Sequence, residues 1–307
     1  MNTAQALRAL GITDLELRPE EKEAFDRDGF FIAENVFTPE EVATMKAEFD
    51  RLRGIEGEMG GHEVHIEPGA PRLSNLFNKS AEFDRCLTCR PTLVAAHYLL
   101  GEIHTYSLNA RNPLKGEGQQ PLHSDVPRVH PTDWRAVNSM VMLDDMTEDN
   151  GPTRVVPGSH KWSPLNVPEV NLAEVTEQVI DEATRPRIPQ DPLAPYPGEF
   201  HVTGKAGSVA VINGCCWHGG TVNTSGKPRR VLHLAIGRRD VPQQTVERKH
   251  LGKDLYDRSN AAIRYLLDIE GAEPVVFGYP PLPDKAETWL AIGADGAHHE
   301  VAAARRY

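Results

Sequence analysis

His123 and Asp125 lie two positions apart in Pro121-Leu-His-Ser-Asp125. In extended chain, residues i and i+2 project to the same face, so this imidazole and carboxylate can reach one ion. That donor pair suits iron(II), and a second imidazole completes a facial triad that leaves coordination positions open for other reactants. His218 is the matching candidate. It follows an expected strand at 208–213, in Asn213-Gly-Cys-Cys-Trp-His218-Gly-Gly, where the glycines allow close backbone approach. Further along, the chain turns through Asn223-Thr-Ser-Gly-Lys-Pro228 and returns as Arg229-Arg-Val-Leu-His-Leu-Ala-Ile236. Strand parity groups Arg229 with Val231 and His233, and Arg230 with Leu232, Leu234 and Ile236. The second set reads as the face packed under helices. Arg229 is then the arginine that points into the pocket, and its planar donor fork matches a carboxylate.

The elements that must position these residues change character along the chain. Pro19 to Asp28 predicts a helix that stops at Gly29, before the extended run Phe30-Phe31-Ile32. Thr38-Pro-Glu-Glu41 supplies an N-cap, a first-turn proline and a capping-box glutamate, and Val42, Met45, Phe49 and Leu52 follow at helical spacing. Residues 54–70 read as loop, and a further helix is expected near 90–100. From about 103 onward short β runs take over, at 103–109, 136–144, 153–156, 208–213 and 230–237. Residues 161–200 carry little periodicity and form an insert of the kind that often acts as a lid.

Composition narrows the function classes. The 307 residues, 39% hydrophobic and 25% charged, suit one large domain. A net charge of −11 argues against nucleic-acid or anionic-membrane partners, which need a basic excess. Residues 1–20 contain no unbroken apolar run, so a cytoplasmic location is expected. The four cysteines do not resemble a disulfide framework. Cys86-x-x-Cys89 lacks a partner pair for zinc. His62-Glu-Val-His65 is one residue short of the spacing that places two imidazoles on one helical face.

The combined pattern resembles the phytanoyl-CoA dioxygenase family of iron(II)/2-oxoglutarate oxygenases. The resemblance rests on His123-x-Asp125, His218 and Arg229, on Asp28-Gly-Phe-Phe-Ile32 with Thr38-Pro-Glu-Glu-Val42, and on Leu143-Asp-Asp through Asn150-Gly-Pro-Thr-Arg-Val-Val-Pro-Gly-Ser-His160. It implies a mainly β protein with α elements: a double-stranded β-helix, or jelly-roll, core with N-terminal helices packed on one sheet. The implied layout is a single domain over 1–307, with a helical cover to about 100, a core over about 101–240 that includes the 161–200 insert, and an extension beyond. The implied iron ligands are His123, Asp125 and His218. Arg229 would grip the distal carboxylate of 2-oxoglutarate, with Gln120, Thr153 and Asn109 as further co-substrate contacts.

The implied reaction consumes dioxygen and 2-oxoglutarate and oxidises a small molecule of secondary metabolism, with hydroxylation as the default. Related halogenases replace the carboxylate ligand, and Asp125 is present here, which argues against halogenation. Asn75, Phe77, Arg128 and His233 are the substrate-facing candidates, and Trp217 is expected to be packing. A monomer or homodimer acting on a free small molecule is expected. The alternatives are a catalytically silent jelly-roll metal-binding protein and an iron dioxygenase that uses no 2-oxoglutarate.

Overall fold

A computed structural model describes residues 1–128, 130–167 and 180–275 in full, and the backbone alone of two strands at 288–292 and 298–302. In chain order the elements are α1 (Thr3–Ala9), α2 (Pro19–Asp28), β1 (Phe30–Ala33), α3 (Pro39–Glu56), β2 (Arg72–Leu73), α4 (Leu76–Lys79), α5 (Arg90–Leu100) and β3 (Ile103–Arg111). They continue with β4 (Ala136–Met142), β5 (Thr153–Val155), β6 (Phe200–Val202), β7 (Val209–Asn213), β8 (His218–Gly220), β9 (Val231–Arg238), α6 (Glu247–His250), α7 (Lys253–Arg258) and α8 (Ala261–Leu266).

Local sequence explains the first helices. The Thr38 hydroxyl accepts from the Glu41 amide and the Glu41 carboxylate accepts from the Thr38 amide, closing the expected capping box. Gly29 ends α2 at φ +86°, a left-handed conformation that favours glycine, and releases the chain directly into β1. The expectations missed α1, whose own capping box joins Asn2 to Gln5, and the three short helices after residue 246. Short helices of this kind carry too few turns to show periodicity.

Strands β1 to β9 form two antiparallel sheets, a six-stranded one in the order β1-β7-β4-β9-β3-β2 and a three-stranded one in the order β6-β5-β8, and the strands at 288–292 and 298–302 pair with each other as a separate antiparallel sheet. The six- and three-stranded sheets are the two faces of a jelly-roll. Between them lies an apolar cluster that includes Met140, Met142, Ala210, Ile212 and Val231 of the large sheet with Val155 and Val202 of the small one and Cys216 of the turn before β8. The outer face of the large sheet contributes Val137, Val141, Leu232, Leu234 and Ile236 to a second core shared with α3, α5 and α8. The parity on β9 therefore holds: Leu232, Leu234 and Ile236 face the helices, and Arg230 reaches Asp50 of α3 and Asp144. All four cysteines are buried and free, and Cys215 and Cys216, in the turn between β7 and β8, enter different apolar clusters.

The described parts of the insert pack on the outer face of the small sheet, while residues 168–179 of the expected lid lie outside the described residues. Trp217 is fully buried there, donates to the Ser163 carbonyl oxygen at 3.0 Å and meets Trp162 and Tyr196 edge-on. Arg154 ties the insert down by donating to the Ala194 and Pro192 carbonyl oxygens at 2.5 and 2.6 Å. Among the described residues, no helix is long and apolar enough to cross a membrane.

Candidate metal centre and carboxylate pocket

His123 and His218 face each other because their backbones form a two-way antiparallel bridge, each amide donating to the other's carbonyl oxygen at 2.9 Å. The Asp125 amide continues this pairing to the Gly214 carbonyl oxygen, while Ser124 points the other way and donates to Cys215. Alternation along the extended segment thus delivers two side chains inward and one outward. The imidazole ring centroids are 4.5 Å apart. Asp125 Oδ1 lies 3.4 Å from His218 Nε2 and 3.9 Å from His123 Nε2. One donor atom from each residue falls within 4.8 Å of the others, close enough to share an ion.

The remaining ring nitrogens are already committed. His123 Nδ1 is 2.8 Å from the Pro121 carbonyl oxygen and His218 Nδ1 is 2.9 Å from that of Cys216. A carbonyl only accepts, so each Nδ1 carries the proton and each Nε2 keeps its lone pair toward the site. Burial and the neighbouring His218 push His123 down to about 4, which keeps it neutral. Burial opposes charge on His218 as well, but the Asp125 carboxylate outweighs it and raises that ring. Burial would raise the Asp125 carboxyl, yet His218, His123 and Asn138 together hold it well below the usual range. Two nitrogens and one carboxylate oxygen are the donor set that iron(II) accepts. The Asp125 side chain remains 26% exposed, so the cluster is open on one side.

Arg229 precedes β9, held by its amide on the Asn112 side-chain oxygen at 3.0 Å. It is 1% exposed, and none of its three guanidinium nitrogens has a hydrogen-bond partner. Burial and repulsion from Arg111 pull it down to about 9, with Glu67 opposing. A buried cation with five unmet donors is costly unless an anion enters beside it. A carboxylate is the fitting guest. The His233 ring on β9 feels the charges of both Arg229 and Asp125. Burial, followed by Arg72, Arg229 and Arg111, keeps that ring neutral.

Gln120 and Thr153 converge beside Gly220. Gln120 Oε1 accepts the Gly220 amide at 3.1 Å, Thr153 is the register partner of Gly220, and the Thr153 hydroxyl contacts Met140 Sδ at 3.0 Å. Arg111 Nη1 lies 3.0 Å from where a Cβ on Gly220 would sit, and that Cβ would press into the Gly118 carbonyl oxygen. Gly220→Ala should therefore force a backbone shift costing about 1–3 kcal/mol. Thermal unfolding and iron content per chain check this, and parent values for both would contradict the packing argument.

The other candidates are placed less uniformly. Asn109 lies on β3 opposite His233, and its amide nitrogen donates to Ser107 and Gln244. Asn75 is buried at φ +55°, accepts from Asn78 and has no partner for its own amide nitrogen. Phe77 belongs to the helix-side core. Arg128 spends its guanidinium on the Pro131, His160 and Trp162 carbonyl oxygens and on the Trp134 ring.

Two ionic clusters escaped the sequence expectations. Glu67 pairs with both Arg111 and Arg72, which restrains the arginines beside Arg229. Glu56, His62 and Glu63 come close enough to share an ion, but Lys79 already supplies the cation, at 2.6 Å from Glu56 and 2.5 Å from Glu63. The local signal was the His62-Glu-Val-His65 motif, but only the tertiary fold brings Glu56 and Lys79 to it.

Near this second cluster Glu247 accepts from Asn78 at 2.7 Å. Burial, with Glu63 adding to it, raises its carboxyl to about 8. The folded chain thus holds this proton more tightly than the unfolded chain does. The resulting stability is full below pH 4.5 and lost as pH rises toward 8. Glu247→Gln should raise the unfolding temperature relative to the parent at pH 8 and much less at pH 4.5. Equal differences at both pH values would refute the assignment.

The family model for phytanoyl-CoA dioxygenase matches residues 25–231. The ectoine dioxygenase of Bordetella bronchiseptica is 30% identical over 225 residues, covering 69% of this chain and 73% of that protein. In fold, the chain is similar to EctD from S. alaskensis with bound Fe, with a TM-score of 0.58, 22% identity and coverage of 76% and 82%. It is also similar to SnoK, described as a non-heme alpha ketoglutarate dependent carbocyclase from nogalamycin biosynthesis, with a TM-score of 0.55, 18% identity and coverage of 72% and 84%. The chain belongs to the phytanoyl-CoA dioxygenase family and is a non-haem iron(II)- and 2-oxoglutarate-dependent dioxygenase acting on a small molecule.

Proposed function

We propose that His123, Asp125 and His218 hold the iron and that Arg229 binds the distal carboxylate of 2-oxoglutarate, with Gln120, Thr153 and Asn109 around the co-substrate. The observation that carries this reading is the fully buried Arg229 guanidinium without a partner, in a chain whose His123, Asp125 and His218 donors lie close enough to share an ion. Bound iron(II) supplies dioxygen activation coupled to decarboxylation of 2-oxoglutarate. The chain's own residues do the rest. Pro121 and Cys216 carbonyl oxygens fix the ring tautomers, Asp125 contributes the negative charge, Arg229 orients the co-substrate, and the apolar cluster between the sheets excludes water.

The substrate is a polar small molecule, and hydroxylation is its default fate. Buried interior-side atoms that lack partners, Asn109 Oδ1 and Asn138 Oδ1, support a ligand with hydrogen-bond donors. The SnoK likeness supports a role in secondary metabolism, and ring closure is the alternative outcome it suggests. The enzyme works in the cytoplasm as a monomer or homodimer and needs neither nucleic acid nor membrane. The test is oxygen-dependent conversion of 2-oxoglutarate to succinate by the iron-loaded protein, across a panel of hydroxylated and aminated compounds. Stimulation by at least one member is expected. A protein that converts no 2-oxoglutarate under any condition contradicts the proposal.

A further inference from the structure

Asn138 of β4 is a polar residue on the interior side of the large sheet, two positions before Met140, which faces the apolar cluster between the sheets. Its side-chain Nδ2 donates to Asp125 Oδ2 at 2.9 Å. The two oxygens of Asp125 are thereby divided. Oδ2 faces Asn138, and Oδ1 faces the two imidazoles. The amide orientation follows from chemistry, because an ionised carboxylate only accepts, and turning the amide would set oxygen against oxygen. This orientation leaves Asn138 Oδ1 buried with no partner. An unmet buried acceptor is unfavourable, so the contact with Asp125 decides which way the amide points.

We propose that Asn138 is a positioning residue that holds Asp125 in a one-oxygen binding mode by occupying Oδ2. The inference rests on the metal-site assignment and extends it to a residue that no spacing motif marks. Without the Asn138 donor, the carboxylate can rotate about its terminal torsion and offer both oxygens to the ion. That would fill a coordination position that the co-substrates need. A residue that merely packs against β7 and β9 would have no influence on carboxylate geometry.

The test uses metal-free full-length protein titrated anaerobically with cobalt(II), whose ligand-field absorption reports coordination number. Asn138→Leu keeps side-chain bulk without the donor, and Asn138→Ala removes both. Both variants should bind cobalt(II) about 10- to 100-fold more weakly, the range for loss of a hydrogen bond to a metal ligand. Their band intensities should also change, with the unfolding temperature of the metal-free Leu variant at or above the parent's. Parent-like affinity and spectrum in both variants overturn the proposal. So does weakened binding that tracks a fall in metal-free stability, because that assigns Asn138 to packing. His123→Ala is the control for the site itself. If the parent fails to bind cobalt(II), the metal-site assignment falls and this inference falls with it, whereas a binding parent with indifferent Asn138 variants defeats the inference alone.

Discussion

Arg229→Ala should raise the 2-oxoglutarate requirement by about 100-fold or more while leaving iron binding intact. The size follows from the site, since truncating one member of a buried charge pair typically costs about 2–5 kcal/mol. Arg229 is buried, has no internal partner and stands beside Arg111, so the co-substrate carboxylate would be its main compensation. Arg229→Lys should recover only part of the affinity, because an ammonium lacks the planar fork. Arg229→Met should raise the unfolding temperature of the protein without co-substrate, since it replaces an uncompensated buried cation by an apolar side chain of similar length. The checks are isothermal titration with 2-oxoglutarate under anaerobic conditions and thermal unfolding without ligands. A parent-like affinity in the Ala variant would remove Arg229 from the pocket.

Asp125→Ala should weaken iron(II) binding by more than about 100-fold and abolish turnover. The residue supplies the only carboxylate among the three clustered donors, and its loss leaves two neutral imidazoles facing a dication. Because Asp125 raises the His218 ring, the same change should lower the pH at which that ring loses its proton. Iron content after anaerobic loading, with histidine titration followed by NMR on the metal-free protein, checks both halves. Retained iron with normal turnover would contradict the ligand assignment.

Much of this site was legible in one dimension because its geometry is local. His123 and Asp125 share a face through the two-residue period of extended chain, and the same period selects Arg229 over Arg230, as the helix-side packing of Leu232, Leu234 and Ile236 bears out. Thr38 and Glu41 announce their helix because a capping box closes within four residues. What escaped depends on distant segments. The donor that Asn138 gives Asp125 joins a strand to a loop, the Glu67 bridge joins a loop to β3, and the Lys79 site gathers α3, a loop and α4. β8 was missed because three residues show no period, although His218, Gly219 and Gly220, which make it up, had been marked as following the strand at 208–213. Phe77 and Arg128 show the opposite limit, where proximity in sequence to pocket segments does not determine which way a side chain is spent.

The most direct measurement is an anaerobic titration of the iron(II)-loaded protein with 2-oxoglutarate, followed by the visible charge-transfer absorption that arises when the co-substrate chelates the metal. The account predicts a saturable band at one co-substrate per iron, lost in Asp125→Ala and shifted to far higher 2-oxoglutarate concentration in Arg229→Ala. No band in the parent, or an unchanged band in both variants, would contradict it.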